Sequence, residues 1–394
     1  MVGYTLSINA GMSDKKKILV FVDWYLPGYK AGGQIRSVAA MAEHLQATYD
    51  FYIVTGDRDL HAEAPYAGVQ LDTWIKRKDG SHVYYISHEK RTKQHLKKII
   101  FEAQADILYL NSMFSYYFTY LPLSIRKKFL TRRKVILAPR GMLGNGALKI
   151  KGLKKKSYLL TTKMMGLYHG ITFHASSSSE EKEIHQQFGR KAKVQVAIDL
   201  VAPRKLANVE RIKNKGQLKM FFLSRISPKK NLLGTLKLLA KVPIGHLIEF
   251  DIYGPIEEAS YWNECNAIIQ TMPSHIQVNY KGILENSAVI DAMTRYHLSV
   301  LLTFNENYGH SIVESMAAGC PVLISDQTIW KHLQDKNAGW DLPLNNEEAI
   351  IHAITTACAW NQEIFNQFSL GALTFAQQIF DDPEGVEQNK KLFA

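Results

Sequence analysis

Short apolar runs alternate with helix-period segments along nearly the whole chain, and this alternation limits its fold more than any other feature. The pattern is typical of a parallel sheet covered by helices on both faces. The strands predicted in the first half are Ile18–Trp24, Phe51–Thr55, His82–Ile86, Ile107–Leu110, Val135–Ala138 and Ile171–His174. Helical segments, for example Gln34–Gln46 and Lys93–Gln104, lie between them.

A polar, basic stretch, Pro203–Lys219, interrupts the alternation, and the pattern then begins again. The strands predicted in the second half are Met220–Ser224, Ile248–Tyr253, Val278–Lys281, Leu298–Phe304 and Val322–Ser325. A chain of 394 residues is also too long for one ordinary core. We therefore predict an α/β protein with two doubly wound, Rossmann-like domains, 1–200 and 201–375, and a hinge near residues 200–215.

Composition agrees with a globular protein, since 46% of the residues are hydrophobic and 21% are charged. No apolar stretch approaches the length of a bilayer span, and the opening MVGYTLSINAGMSDKKK lacks a signal-peptide apolar core. We therefore expect a cytoplasmic location. The cysteines, Cys265, Cys320 and Cys358, are too widely spaced to indicate a disulfide framework or a zinc site.

Positive charge is concentrated in one part of the chain, whose formal net charge is +12. Between Glu89 and Lys163 there are 18 Lys or Arg residues against three acidic ones. This suggests a face that meets phosphorylated ligands, nucleic acid or an anionic membrane leaflet. A solvated basic face without a partner explains the pattern about as well.

The stretch ENYGHSIVESMAAGCPVLIS, residues 306–325, places two carboxylates on either side of a predicted helix start. Glu306 lies in the loop after a predicted strand, and Glu314 lies in the helix that Gly309-His310-Ser311 begins. Ser311 and Glu314 also fit a capping box. Backbone N–H groups at a helix start suit an anion, while carboxylates accept hydrogen bonds from hydroxyls. The pattern therefore predicts a sugar-nucleotide ligand.

Two more loops follow predicted strands. Gly32-Gly33 opens a helix and would let the backbone approach an anion, although a plain tight turn explains it equally well. It fits neither the dinucleotide-binding nor the Walker pattern. Arg225 and Lys230 place two cations in the second loop, where they would suit a pyrophosphate. Alternatively, this segment is simply a helix start with surface lysines.

These motifs occur together with Asp251–Pro255 (DIYGP) and Ala138–Leu143 (APRGML). Over nearly its whole length the chain resembles the retaining glycosyltransferases of family four, which have the GT-B fold. The stretch beginning at Glu306 and the APRGML segment are similar to a bacterial branch that builds capsular, exopolysaccharide or O-antigen chains. The resemblance implies two domains facing across a cleft, with a final helix, 376–394, that crosses back to the first domain.

The resemblance also implies a role for each motif. Glu306 would lie beside the donor sugar, and Glu314 would contact the ribose hydroxyls. Arg225 and Lys230 would neutralise the diphosphate, in place of the metal ion that other transferases use. Backbone groups completing the phosphate and sugar contacts would lie at Gly32, Gly33, Gly309, His310, Ser311 and Ile312. Those bordering the base would lie at Gly282, Ile283 and Leu284.

The acceptor side is expected in the first domain. Asn111 and Arg140 stand where many family members have histidine, and they are expected to contact the sugar or the acceptor. Phe114–Leu123 is aromatic, and Lys149–Lys156 is basic and partly amphipathic. This face would dock on anionic lipid to reach a polyprenyl-linked saccharide. A core aromatic cluster beside a solvated helix is the alternative.

The resemblance thus implies a metal-independent, retaining transferase that uses a UDP or GDP sugar and no cofactor, in the cytoplasm or at the inner face of its membrane. Acceptors would be glycans or polyprenyl-linked saccharides, and nucleic acid is not an expected partner. Two alternatives remain at this point. One is a sugar-nucleotide epimerase on the same scaffold, and the other is a non-enzymatic protein that binds polyanions or nucleic acid.

Overall fold

The computed structural model describes residues 15–144, 147–148, 152–202, 206, 210–285 and 288–394. The opening segment and parts of two stretches named above, Lys149–Lys156 and Pro203–Lys219, lie outside these residues. The described chain forms two α/β domains, each built on its own sheet. The predicted fold class is confirmed.

The first sheet has eight strands in the order β3-β4-β2-β1-β5-β6-β7-β8. All neighbours are parallel except β3, which runs antiparallel to β4. The strands are β1 Lys16–Phe21, β2 Tyr49–Gly56, β3 Trp74–Lys76, β4 His82–Ile86, β5 Ile107–Leu110, β6 Lys134–Leu137, β7 Thr172–Ala175 and β8 Val194–Val196. The helices are α1 Gly33–Leu45, α2 Lys93–Ala103, α3 Leu121–Phe129, α4 Gly152–Met164 and α5 Ser178–Phe188.

The second sheet has six parallel strands in the order β11-β10-β9-β12-β13-β14. The strands are β9 Gln217–Leu223, β10 Leu247–Tyr253, β11 Ile276–Gly282, β12 Leu298–Leu301, β13 Val322–Ser325 and β14 Gly339–Leu342. The helices are α6 Leu232–Leu239, α7 Ala259–Gln270, α8 Val289–Met293, α9 His310–Ala317, α10 Glu347–Ala359, α11 Gln362–Phe380 and α12 Pro383–Phe393. None of the helices that the structure describes has the length and apolar character needed to cross a bilayer.

Each predicted strand is present, with ends shifted by at most three residues. Helices cover both faces of each sheet, so the strands are apolar at consecutive positions. In β1, for example, Leu19 and Phe21 pack into one core and Ile18 and Val20 into another. The sequence missed β3, β8 and β14, which have three or four residues each and lie at sheet edges. Such short edge strands carry too little periodicity to be recognised.

The link between the two sheets runs from the end of β8 to the start of β9, and the predicted border between residues 200 and 201 lies in it. Two of its cations are buried and donate to backbone carbonyls of the second domain. Arg211 Nη1 lies 2.8 Å from Tyr296 O, and Lys213 Nζ lies 3.1 Å from Cys358 O. Burial lowers the pKa of Lys213 to about 8. These two basic residues therefore attach the link to the second domain, and they are not merely solvated surface charges.

The end of the chain returns to the first domain through α12. The predicted border between residues 375 and 376 falls inside the continuous helix α11, so that boundary requires correction. The chain turns instead at Asp382, whose carboxylate accepts a hydrogen bond from Glu384 N at 2.9 Å, and Pro383 occupies the first turn of α12. Phe393 is fully buried among aromatic residues of the first core.

Phe393→Ala should destabilise the first domain, because the Phe393 ring contacts Tyr49, Phe51 and Tyr109 at centroid distances of 5.6, 6.1 and 5.5 Å. A buried phenylalanine reduced to alanine costs about 3–5 kcal/mol. Urea unfolding would measure the change. Leu370→Ala, at an exposed position of α11, is the control and should have little effect. Equal stability of the two variants would contradict the packing described for α12.

Candidate active site

Loops at the carboxyl ends of the two sheets meet between the domains. Ser37 Oγ, on α1 of the first domain, lies 3.0 Å from His310 Nε2, on α9 of the second. A Cβ atom added to Gly33 would lie 3.4 Å from His310 Cδ2, so the starts of α1 and α9 approach each other closely. Two helix N-termini, each with a partial positive charge, therefore converge on one place, which suits an anionic ligand.

Glu306 lies in the loop after β12, where its backbone N–H donates to Gln327 O at 3.0 Å. Its carboxylate pairs with Lys230, which ends a short 3₁₀ turn after β9. Burial alone would raise the pKa of Glu306, but Lys230 and Lys229 outweigh burial and hold this pKa below its ordinary value. The group is therefore a carboxylate near neutral pH that can accept hydrogen bonds from sugar hydroxyls.

The helix start predicted at Gly309-His310-Ser311 is present, but the capping box predicted from Ser311 and Glu314 is wrong. Gly309 is the N-cap and has φ 80°, a left-handed conformation that glycine adopts readily. This conformation starts the helix at His310, so Ser311 lies inside the first turn and no side chain caps it. Glu314 is buried one turn further along and forms an ion pair with Arg36 of the first domain.

Arg36 is a site residue that sequence reasoning missed. It lies in the first turn of α1, three residues after Gly33, and pairs with Glu314 across the cleft. A cation is unfavourable near the positive end of a helix, so an arginine at this position is itself a signal that another charge compensates it. The carboxylate predicted to hold the ribose is therefore engaged by a side chain of the opposite domain.

Arg140 is held by protein groups on all sides of its guanidinium. Nε donates to Asn111 Oδ1 at 2.6 Å, Nη2 donates to Tyr109 OH at 2.8 Å, and Nη1 pairs with Asp199. Burial alone would lower the pKa of Arg140, but Asp199 raises it, so the group remains charged. This arrangement shows a structural role. A contact between Arg140 and the acceptor stays a prediction. The acceptor would have to bind a guanidinium that already has three partners.

Asn111 is fully buried at the carboxyl end of β5. Its Oδ1 atom accepts from Arg140, whereas its Nδ2 atom has no hydrogen-bond partner within the described part of the chain. A buried amide donor without a partner is costly unless a ligand or water accepts from it. The expected contact of Asn111 with the sugar or acceptor stays a prediction, and this donor is the atom that would make it.

Two further groups set the geometry of the loop that carries Arg140. Glu180 of α5 accepts hydrogen bonds from Gly141 N at 2.6 Å and from Ser176 N at 2.8 Å. His174 Nε2 lies 2.8 Å from Ala197 O and His174 Nδ1 lies 2.8 Å from Tyr109 OH. Sequence reasoning missed both, because buried polar residues that support a loop have no local motif.

The remaining residues predicted to contact the donor belong to the second domain, where they lie at or after the carboxyl ends of strands β9 and β11. Arg225 follows β9, but its Nη1 atom pairs with Glu257 Oε1 at 2.7 Å and the side chain is partly exposed. Lys229, which the sequence did not single out, lies near Lys230 and Glu306 and is half-buried. Burial and the neighbouring Lys230 lower the pKa of Lys229. The region predicted to bind phosphate thus contains three cations, Arg225, Lys229 and Lys230, rather than the two that the sequence predicted.

The residues predicted to border the base lie at the end of β11. Gly282 has φ 78°, and its carbonyl accepts a hydrogen bond from Gly254 N at 2.8 Å. Ile283 is exposed, and Leu284 packs partly into a small core.

Among the described residues, no group of three or more His, Cys, Asp or Glu side chains could hold a metal ion. Metal independence remains a prediction.

The buried histidines predict how stability depends on pH. Burial lowers the pKa of His174 and of His310 to about 4, whereas unfolded histidine titrates near 6.5. Between these values the unfolded chain binds more protons, so the free energy of unfolding falls as pH drops from about 6.5 to about 4. Each histidine contributes up to about 1.4 kcal/mol per pH unit in this window.

His174→Gln should remove one of these contributions and flatten the pH dependence, measured by urea unfolding at several pH values. His352→Gln, at an exposed position of α10, is the control and should keep the wild-type slope. An unchanged slope in His174→Gln would show that folding does not lower the pKa of His174.

Comparison with known proteins supports this description of the fold. Residues 204–363 match the family model described as "Glycosyl transferases group 1". No curated protein sequence matches the chain. Three solved structures, each similar over nearly the whole of both chains, are the sucrose-phosphate synthase of Thermosynechococcus elongatus, HepE of Anabaena in complex with UDP and glucose, and a glycosyltransferase of Rickettsia africae.

The sucrose-phosphate synthase is 14% identical with a TM-score of 0.67, and the alignment covers 96% of this chain and 98% of that one. HepE is 15% identical with a TM-score of 0.67 and the same two coverages. The Rickettsia protein is 15% identical with a TM-score of 0.63, covering 97% and 98%. The chain therefore has the GT-B fold, and its second domain matches the glycosyl transferases group 1 family.

Proposed function

We propose that the chain is a retaining glycosyltransferase that moves a sugar from a nucleotide diphosphate sugar to a glycan or lipid-linked saccharide. The match of its second domain to glycosyl transferases group 1 supports this reaction class. HepE, which shares the fold, has been solved with UDP-glucose, and this supports a UDP sugar as donor. We place the reaction in bacterial surface polysaccharide synthesis, on the cytoplasmic side of the membrane, because of the resemblance of residues 306–325.

The Lys230–Glu306 pair beside the start of α9 is the observation that carries the proposal. Phosphate oxygens of the donor would lie at the converging starts of α1 and α9, where Lys230 and Lys229 add positive charge. Glu306 would then accept hydrogen bonds from the transferred sugar. The nucleoside would extend toward Glu314 and the end of β11, with the ribose replacing Arg36 as the partner of Glu314.

Retention of configuration without a covalent intermediate requires the acceptor to attack from the same face that the leaving group leaves. In the proposed step, the bond between the anomeric carbon and the phosphate oxygen breaks while a bond to the acceptor oxygen forms. The acceptor hydroxyl gives its proton to the departing phosphate. The low pKa of Glu306 makes it a weak base, which agrees with this route. The protein's main contribution is then electrostatic stabilisation of the leaving diphosphate by Lys230 and Lys229.

Neither alternative has comparable support. An epimerase would use the donor site alone, and nothing in the comparisons indicates one. Binding of polyanions would explain the basic segment, but it would not explain the Lys230–Glu306 pair. We therefore favour transfer.

Glu306→Ala and Lys230→Ala should each lower transfer by about 10²- to 10³-fold or more, because each removes a group that acts on the transition state. The donor would first be identified from a panel of UDP, GDP and other nucleotide sugars by thermal shift. Transfer would then be followed as nucleoside diphosphate release with a bacterial lipid extract as acceptor. Lys237→Ala, an exposed lysine of α6, is the matched control and should keep wild-type activity.

Circular dichroism would establish that both site variants keep the fold. Near-wild-type turnover in either folded variant would overturn the site assignment. The anomeric configuration of the product, read by NMR, tests retention separately, since inversion would reject the same-face mechanism while leaving the donor site intact.

Excess EDTA should leave the rate unchanged within about twofold, because Lys230 and Lys229 supply the positive charge that a divalent ion provides elsewhere. The measurement is the same release assay with and without chelator. A strong loss of activity that Mg²⁺ or Mn²⁺ restores would contradict metal independence.

A further inference from the structure

Arg36 adds a positive charge where the starts of α1 and α9 converge. It lies in the first turn of α1, and that turn contains no acidic residue. The next residue, Ser37, is the one whose Oγ atom lies 3.0 Å from His310 Nε2. Burial lowers the pKa of His310 to about 4, and the charge of Arg36 acts in the same direction. Arg36 therefore lies beside the place where the donor phosphates are proposed to bind.

The two members of the Arg36–Glu314 pair differ in their access to a ligand. The side chain of Glu314 is 2% exposed, whereas that of Arg36 is 21% exposed. Arg36 Nη1 makes the contact with Glu314, and among the described residues neither Nε nor Nη2 of Arg36 forms a hydrogen bond. A guanidinium has five N–H donors in a planar fork, which fits the oxygens of a phosphate. Arg36 thus has donors available even while it is paired.

The cations already assigned to the phosphate region, Arg225, Lys229 and Lys230, all belong to the second domain. A diphosphate held by these side chains would still face the first domain on its other side. Arg36 lies on that side, directly opposite Glu314 of α9. It can therefore add a cation from the first domain to charges that the second domain supplies.

Binding of a nucleoside would release Arg36 from Glu314. In the proposed function the ribose hydroxyls donate to Glu314, so they compete with the guanidinium for the same carboxylate. The guanidinium stays charged, and at the positive end of α1 it is unfavourable without an anion beside it. The diphosphate of the same ligand is the anion that binding brings to this place.

We propose that Arg36 is a phosphate-binding residue of the donor site, and that its guanidinium moves from Glu314 to the diphosphate when a nucleotide sugar binds. This inference rests on the proposed function. When the bond between the anomeric carbon and the phosphate oxygen breaks, negative charge grows on the leaving diphosphate, and Arg36 stabilises this charge from the first domain. Transfer therefore requires both domains to contact the same leaving group.

The Arg36–Glu314 pair also has a role after transfer. As the nucleoside diphosphate leaves, the guanidinium and the carboxylate pair again, so each competes with the product for the other. A purely structural role, in which Arg36 only orients Glu314, makes a different prediction. It would affect the ribose contact and the diphosphate contact alike, because both would depend on the position of Glu314.

Binding of UDP and of uridine separates these two roles. Arg36→Ala should weaken UDP binding by at least about tenfold, because a charge-assisted contact with phosphate is lost. Uridine binding should stay the same or become stronger, since the guanidinium no longer competes for Glu314. Arg36→Lys keeps the charge but loses the fork, and it should give intermediate UDP affinity. Calorimetry measures UDP binding to the full chain, and ligand-observed NMR measures uridine binding.

The same variants are followed in the nucleoside diphosphate release assay. At saturating donor, Arg36→Ala should lower kcat by at least about tenfold, because the charge that Arg36 stabilises is largest in the transition state. Arg132→Ala, an exposed arginine of the first domain, is the matched control and should keep wild-type binding and turnover. Circular dichroism would establish that each variant is folded.

Equal weakening of UDP and uridine binding in Arg36→Ala would show that Arg36 acts through Glu314, and it would overturn the proposal. Unchanged UDP affinity with unchanged kcat would overturn it too. Both results leave the proposed function intact, because the wild-type chain still binds and uses its donor. A wild-type chain that binds neither UDP nor GDP would instead reject the proposed donor, and the role of Arg36 with it.

Discussion

A guanidinium buried where the two domains meet sets the geometry on which the rest of the cleft depends. Arg140 joins the end of β5, through Asn111 and Tyr109, to Asp199 in the link between the domains. A buried charge is tolerated only when it is fully paired, so these segments must keep their relative positions. The electrostatic field of Asp199 also reaches His310, at the start of α9. One ion pair therefore connects the first sheet, the link and the helix start of the candidate site.

The cleft has carboxylates and cations that already neutralise one another. Lys230 pairs with Glu306 within the second domain, and Arg36 pairs with Glu314 across the cleft. A nucleotide sugar has an anionic diphosphate and neutral hydroxyls, so it can replace both pairings: phosphate attracts the cations, and hydroxyls donate to the carboxylates. Because each charge has a partner before and after binding, the exchange would avoid leaving any buried charge alone.

The sequence predicted the elements whose signals are local. Buried strands such as β1 are apolar at consecutive positions, and Gly309 marks the helix start of the site. The Arg36–Glu314 pair could not be predicted in the same way, because its members are 278 residues apart. The capping box was wrong because the left-handed Gly309 starts the helix earlier than the Ser311 pattern implied. Arg140 was expected at the acceptor, but local sequence could not show that distant groups hold its side chain.

Hydrogen–deuterium exchange of the chain with and without UDP tests most directly that the converging helix starts form the donor site. The account predicts slower exchange in three separate segments at once: the start of α1 near Gly33, the turn at Lys230, and residues 306–314. The first domain away from the cleft, including α4, should be unchanged. Tight binding of UDP with slower exchange at some other surface, and none at these segments, would contradict the account.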